Sequence, residues 1–210
     1  MACHIMDASF TGLGLGLPKH IAATSTPYSD IAFPESSTIE FVFPRPGHKD
    51  VKVTWMDGGK RPTDVPFVDH EFIHGIPGDE QRKGEGNGTL IVGTKGTVFT
   101  NTYCNAPRLF PREHYVALAR AGELPEKTLP RVGGHFEEWF EGIKTKTQPG
   151  ANFDYAAAFT EAALLGNVAV FAGEPIDYDS ENMRVTNVPE ANRLLHSQYD
   201  YRAEFLPQGV

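Results

Sequence analysis

Thr38-Ile-Glu-Phe-Val-Phe43 is the stretch that decides the fold class, together with Asp50-Val-Lys-Val-Thr-Trp-Met56 behind it. In both stretches every second residue is apolar, and this alternation is typical of β-strands that bury one face. The intervening segment, Pro44-Arg-Pro-Gly47, predicts that the two strands form a hairpin. The pattern therefore predicts an antiparallel sheet with Ile39 and Phe41 on its buried face.

Outward from this hairpin, the same rules predict further strands and helices. The strands are expected at residues 20–26, 89–92, 97–102 and 176–178, and the helices at residues 2–13, 111–121, 135–146, 153–172 and 189–197. Strands precede most helices and no βαβ alternation is present, which favours an α+β fold. We expect one domain over residues 1–210, an open, mainly antiparallel β-sheet with helices packed on one face.

Two segments carry expectations of their own. Residues 57–88 are rich in glycine, proline and charge, and they predict a long functional loop. The helix expected at 135–146 has an apolar stripe, in which Trp139 and Phe140 are expected to be core residues.

Composition excludes several classes of protein. The net charge of -8 argues against a nucleic-acid-binding surface. The two cysteines, Cys3 and Cys104, are too few for a disulfide framework and are expected to be free thiols. No apolar run suggests a membrane helix, which needs about 18–20 residues. The sequence leaves open whether the protein is cytoplasmic or periplasmic.

The segment Ala2-Cys3-His4-Ile5-Met6-Asp7 resembles the end of the DxxxHxxD signature of one oxidoreductase family. This is the Gfo/Idh/MocA family, named after glucose–fructose oxidoreductase, inositol dehydrogenase and MocA. Further segments resemble its bacterial sugar-oxidising branch, in the same order along the chain. They are Val53-Thr-Trp-Met-Asp-Gly-Gly59, Gly88-Thr-Leu-Ile-Val-Gly93 with Lys95-Gly96, Asn105-Ala-Pro-Arg108, Gly133-Gly-His-Phe-Glu-Glu-Trp139, Asn152-Phe-Asp-Tyr155, Leu164-Leu-Gly-Asn167 and Glu181-Asn-Met-Arg-Val-Thr-Asn187.

The resemblance implies that the parent enzyme is an NAD(P)-dependent dehydrogenase that acts on a sugar, cyclitol or glycoside hydroxyl. This chain would be its C-terminal, substrate-facing domain and would lack the N-terminal Rossmann domain, including the catalytic lysine of a Glu-Lys-Pro motif. The isolated chain is therefore expected to bind neither NAD nor NADP and to be inactive alone. Its expected partners are the substrate, the Rossmann domain and further copies of the chain, which would assemble through the sheet.

By this resemblance, His4 is the catalytic acid/base of the parent enzyme or the partner of that group. Oxidation of a hydroxyl needs a base for its proton, and a histidine titrates near neutral pH. From its spacing alone, His4 is better explained as a helix histidine that is hydrogen-bonded in a core. Asp7 either orients His4, as part of the substrate site, or faces solvent or caps a backbone amide.

Several other side chains are candidates for substrate binding. Trp55 offers a flat face to a sugar ring, and Asp57 can accept two hydroxyl hydrogen bonds. Their alternative roles are a core tryptophan and a turn aspartate before Gly58-Gly59. Polar residues near a strand end and at a helix start complete the candidates: Tyr103, Asn105, Arg108 and His135.

Two other functions compete with this one. The first is a non-catalytic module for carbohydrate binding or oligomerisation. The second is a zinc-dependent hydrolase, because His70-Glu-Phe-Ile-His74 superficially matches the HExxH zinc motif. Two histidines must share one helical face to bind zinc, and the loop-like context predicts no metal site here.

Overall fold

The computed structural model describes residues 1–29, 31–81, 83–105, 107–196, 202 and 204. Strands and helices make an α+β fold, as predicted. The chain divides into two compact units, and each is described by itself. The first unit consists of Met1–Leu15 and Arg61–Glu161, and the second consists of Gly16–Lys60 and the residues from Ala162 onward.

The strands are β1 (His20–Ser25), β2 (Ser37–Phe43), β3 (Val51–Met56), β4 (Gly88–Val92), β5 (Thr97–Asn101), β6 (Arg108–Phe110), β7 (Ile176–Asp179) and β8 (Arg184–Val185). The helices are α1 (Ala2–Ile5), α2 (Asp7–Leu13), α3 (His70–His74), α4 (Arg112–Ala121), α5 (His135–Thr145) and α6 (Phe153–Ala172), followed by a 3-10 helix at Pro189–Leu195. The helix predicted at 189–197 is thus a 3-10 helix, and Ser197 lies outside the described residues.

The second unit contains a five-stranded antiparallel sheet in the order β3-β2-β1-β7-β8. The predicted hairpin is confirmed, with Ile39 opposite Trp55 and Phe41 opposite Val53. Ile39, Phe41 and Phe43 are buried. The part of α6 in this unit packs on their face, because a Cβ on Gly166 would lie 2.9 Å from the Phe41 ring. The glycine therefore lets the helix approach the sheet closely.

The other face of β2 and β3 is mostly polar. Glu40, Lys52 and Thr54 are exposed, and Val42 and Met56 are half-buried between them. The alternation in the sequence thus separates an apolar from a polar face, as a sheet that is covered on one side requires.

The first unit has its own antiparallel sheet, in the order β4-β5-β6. The strands predicted at 89–92 and 97–102 therefore form a separate sheet rather than extending the hairpin. β6 was not predicted, because three residues are too few to show an alternation. Its Phe110 is buried beside Phe99 of β5, and both rings contact Phe72 of α3.

The expectation that residues 57–88 form a loop throughout is wrong at one point, since α3 lies within them. A helix of five residues has little stability of its own. Tertiary contacts stabilise α3 here: Ile73 is buried, and the centroids of the Phe72 and Phe110 rings lie 4.7 Å apart. The sequence pattern could not reveal these contacts.

α6 matches its predicted bounds. Among the described helices, it is the one that is long and apolar enough to cross a membrane. Leu165, Val168 and Ala169 are buried, whereas Phe153 and Leu164 of the same helix are exposed.

Candidate functional site

His4 lies on α1 in the first unit, and its side chain is exposed, as the acid/base hypothesis expects. The Tyr103 ring approaches it edge-on, with 5.3 Å between ring centroids and an interplanar angle of 64°. Tyr103 is itself 70% exposed. The pair therefore presents two rings with polar atoms at the surface of the first unit.

The turn after β5 is fixed on α1 through Cys104. The Cys104 Sγ donates to the backbone carbonyl of His4 across 3.0 Å. Thr89 of β4 also donates its hydroxyl to the carbonyl of Ile5. The histidine therefore stands on a short helix that two segments of the small sheet hold in place.

Asn101, which sequence reasoning missed, shapes the turn that carries Tyr103. Its Oδ1 accepts the backbone N–H groups of Tyr103 and Asn105, at 3.2 and 3.1 Å. Its Nδ2 donates to Asn105 Oδ1 at 2.7 Å. An asparagine at a strand end commonly satisfies a turn in this way, and that rule could have identified it. Asn105 thus closes the turn, although it was expected to bind substrate.

Asp7 makes a contact that its predicted roles did not include. The Tyr155 hydroxyl donates to Asp7 Oδ1, and Thr11 Oγ1 lies 3.0 Å from the same hydroxyl. Partial burial and the hydrogen bond to Asp7 raise the pKa of Tyr155 to about 12. Tyr155 lies at the end of one motif that resembles the family, yet nothing in its spacing linked it to Asp7. The carboxylate is held three residues after His4.

Trp55 and Asp57 belong to the second unit, whereas the other site candidates belong to the first. The Asp57 carboxylate accepts the Trp55 indole N–H at 2.9 Å and the Ser37 hydroxyl at 2.7 Å, and it also accepts the Ser37 backbone N–H. Partial burial acts to raise the pKa of Asp57, but the hydrogen bonds from Trp55 and Ser37 outweigh it and lower the pKa. These contacts favour the turn interpretation over sugar binding.

Arg108 is engaged in structural contacts. Its Nη1 lies 2.6 Å from Glu85 Oε1, and its guanidinium lies 5.4 Å from the centre of the Phe72 ring and 5.8 Å from that of Phe99. A guanidinium in such a position stabilises β5, β6 and α3 together. A role in substrate binding would require it to leave the ion pair.

His135 is exposed at the first residue of α5, where its ring lies 4.4 Å from the Phe136 ring. The expectation that Trp139 and Phe140 are core residues is wrong, because they are 56% and 54% exposed. The helical period identified the apolar face correctly, but it did not show whether anything covers that face.

The His70-Glu-Phe-Ile-His74 segment is helical, contrary to its predicted loop conformation. The two histidine rings stack with centroids 4.3 Å apart, and His74 Nε2 lies 2.8 Å from the Pro62 carbonyl. Within the described parts of the chain, no three histidine, cysteine or acidic side chains are grouped so that they could hold a metal ion. The motif therefore offers two rings and no third ligand.

No family model matches the chain, and comparison with curated protein sequences gives no match. The motifs quoted above therefore carry the resemblance to the Gfo/Idh/MocA family. Of the predicted site residues, the geometry brings His4 and Tyr103 together, and Tyr155 anchors Asp7, which lies three residues further along the chain than His4.

Proposed function

We propose that the chain is the substrate-facing part of an NAD(P)-dependent oxidoreductase that acts on a hydroxyl of a sugar, cyclitol or glycoside. One observation carries the proposal: the exposed His4 ring of α1 stands beside the exposed Tyr103 ring, and the backbone carbonyl groups of His4 and Ile5 accept hydrogen bonds from the Cys104 and Thr89 side chains. The family-like motif supports it, because it assigns the acid/base role to this same histidine.

In this proposal, His4 accepts the hydroxyl proton of the substrate through an unprotonated ring nitrogen. Tyr103 offers a ring face to the C–H groups of the sugar and a hydroxyl for hydrogen bonding. Asp7, bound to Tyr155, holds negative charge near the helix that carries His4. The role of Asp7 in the proposal is to orient His4.

The described residues do not fit a dinucleotide. Dinucleotide sites use a parallel βαβ unit with a glycine-rich phosphate loop, whereas every strand pair of the described sheets is antiparallel. The proposal therefore assigns the cofactor to a separate Rossmann domain, and no step of the reaction is derived through it.

The test is NMR titration of the full chain with monosaccharides, cyclitols and methyl glycosides. The proposal expects binding that shifts the His4 and Tyr103 ring signals and is lost in His4→Ala and Tyr103→Ala. His48→Ala, at an exposed histidine of the second unit, is the matched control and should bind normally. If His4→Ala and Tyr103→Ala both bind the sugar as tightly as the wild type does, the result would instead favour a non-catalytic carbohydrate-binding module.

A second titration tests the cofactor assignment. Calorimetry with NAD and NADP should show no stoichiometric binding to this chain, because the antiparallel sheets lack the phosphate loop. Micromolar binding of either dinucleotide would contradict the assignment to a separate domain.

A further inference from the structure

α5 carries an apolar stripe that the described residues of the chain leave exposed. Phe136, Trp139, Phe140 and Ile143 are 61%, 56%, 54% and 61% exposed. None of the residues of α5 is buried. A contiguous apolar surface of this kind on a folded unit usually marks a contact surface.

The opposite side of α5 is the side that its own chain contacts. Glu138 Oε1 accepts the Gly150 backbone N–H at 2.7 Å, and a Cβ on Gly142 would lie 3.0 Å from the Thr147 carbonyl oxygen. With 3.6 residues per turn, Glu138 and Gly142 lie away from the stripe. The segment 147–150 therefore contacts the polar side of α5, and the stripe lies on the other side of the helix.

The spacing of the stripe is symmetric along the helix. Its members follow the i, i+3, i+4, i+7 pattern, so the order of positions is the same when the helix is read in reverse. Such a stripe can pack against an identical stripe that runs antiparallel, with Phe136 near Ile143 and Trp139 near Phe140 of the other copy. A two-fold symmetric contact requires this self-complementarity.

The charges beside the stripe also fit an antiparallel copy. Glu137 and Lys144 are seven residues apart, so they lie along one edge of the stripe. In the single chain, Lys144 Nζ lies 2.7 Å from Glu141 Oε1 of the same helix, and a pairing across the dimer would replace this exposed, weak ion pair. When two α5 helices pack antiparallel, this edge of one helix lies against the same edge of the other helix, which runs in the opposite direction. Glu137 of one copy would then face Lys144 of the other, twice in each dimer.

We propose that a second copy of this chain covers the stripe, with the two α5 helices antiparallel. This inference is independent of the proposed oxidoreductase function, and self-association through the sheet stays a separate prediction. Aromatic side chains offer about 150–250 Å² each, so the half-exposed stripe offers ~400 Å² per copy. The pair would bury about 800 Å², below the roughly 1,200–2,000 Å² of standard stable interfaces. The dimer is therefore weak and depends on concentration.

Sedimentation of the full chain tests the proposal over about 1–200 µM, the range in which weak dimers dissociate. The expected result is a monomer–dimer equilibrium. Trp139→Glu should raise the dissociation constant about 30-fold, as for a central aromatic contact. Tyr115→Glu, at a 42% exposed aromatic residue of α4, is the matched control and should leave it unchanged. A monomer at every concentration, or a dimer that tolerates Trp139→Glu, would overturn the proposal.

Charge reversal tests the antiparallel pairing. Glu137→Lys and Lys144→Glu should each weaken the dimer about threefold, since each puts like charges opposite one another. The double variant Glu137→Lys/Lys144→Glu should restore the original dissociation constant. A double variant as weak as the single ones would overturn the antiparallel arrangement. Circular dichroism should show all variants folded, because α5 contributes no buried residue.

Discussion

β2 and α5 carry similar aromatic patterns with opposite outcomes. In β2, Phe41 and Phe43 recur with the period of a strand and are 2% and 0% exposed. In α5, Trp139 and Phe140 recur with the period of a helix and are more than half exposed. Both patterns are equally clear in the sequence, and both predict core residues.

The difference is what covers each face. α6 packs closely on β2 because Gly166 has no side chain between its backbone and the Phe41 ring. α5 contacts its own chain through Glu138 and Gly142, away from its aromatic residues. Periodicity therefore identifies an apolar face, but only the tertiary structure shows whether that face is core or contact surface.

The largest expected effect compares the two faces directly. Phe41→Ala should lower the free energy of unfolding by about 3–5 kcal/mol, because it leaves a cavity under α6. Phe140→Ala, on the open face, should lower it by less than about 1 kcal/mol in the dilute monomer. Urea unfolding of both variants checks this. Equal losses would mean that α5 is as well packed as β2.

A smaller effect is expected at the turn that follows β3. Gly58 has φ +63°, and an added Cβ would lie 2.2 Å from Ser36 Cβ. Gly59 has φ +83° and open space around it. Gly58→Ala should therefore destabilise the chain by about 2 kcal/mol more than Gly59→Ala, because strain at positive φ is common to both and the clash is not. Thermal unfolding of the two variants measures the difference.

Asp57 adds a pH dependence to the same turn. Its pKa is lowered in the folded chain, so its stabilising effect is present above the ordinary value of 3.8 and is lost as the pH falls through the folded pKa. Asp57→Asn should cost about 1 kcal/mol at neutral pH, allowing for solvent screening. Urea unfolding should show this difference shrinking in acid. If the loss of unfolding free energy in Asp57→Asn does not vary with pH, this would contradict the hydrogen bonds that Ser37 and Trp55 donate to the charged Asp57 carboxylate.

The smallest expected effect lies in the first unit. Tyr155→Phe removes the hydrogen bond to Asp7 and should cost about 1 kcal/mol or less, since the site is half-exposed. Because the pKa of Tyr155 is raised to about 12, its hydroxyl should ionise at a higher pH than that of an ordinary tyrosine. The stability that its hydrogen bond adds should be lost as the pH rises through that value. Ultraviolet absorbance titration compares wild type with Tyr155→Phe, and Tyr115→Phe is the control. A titration curve that Tyr155→Phe leaves unchanged above pH ~11 would contradict the contact.

The sequence was sufficient for the features that depend on local periodicity. It predicted the β2–β3 hairpin, its buried face and the bounds of α6. It missed α3 and β6, because those short elements depend on contacts such as Phe72 with Phe110. At the candidate site, the motif singled out His4 as a candidate. Asn101 acts through a local turn that the strand-end rule could have revealed, whereas Tyr155 reaches Asp7 from 148 residues away, and no local pattern encodes that contact.

The two tryptophans allow the most direct test, since Trp55 belongs to the hairpin and Trp139 to the open stripe. The chain can be labelled with 5-fluorotryptophan and its two ¹⁹F NMR signals assigned with Trp139→Phe. On dilution through the micromolar range, the Trp139 signal should move as the α5 pair dissociates, and the Trp55 signal should stay fixed. A Trp139 signal that is independent of concentration would contradict the claim that α5 is a contact surface.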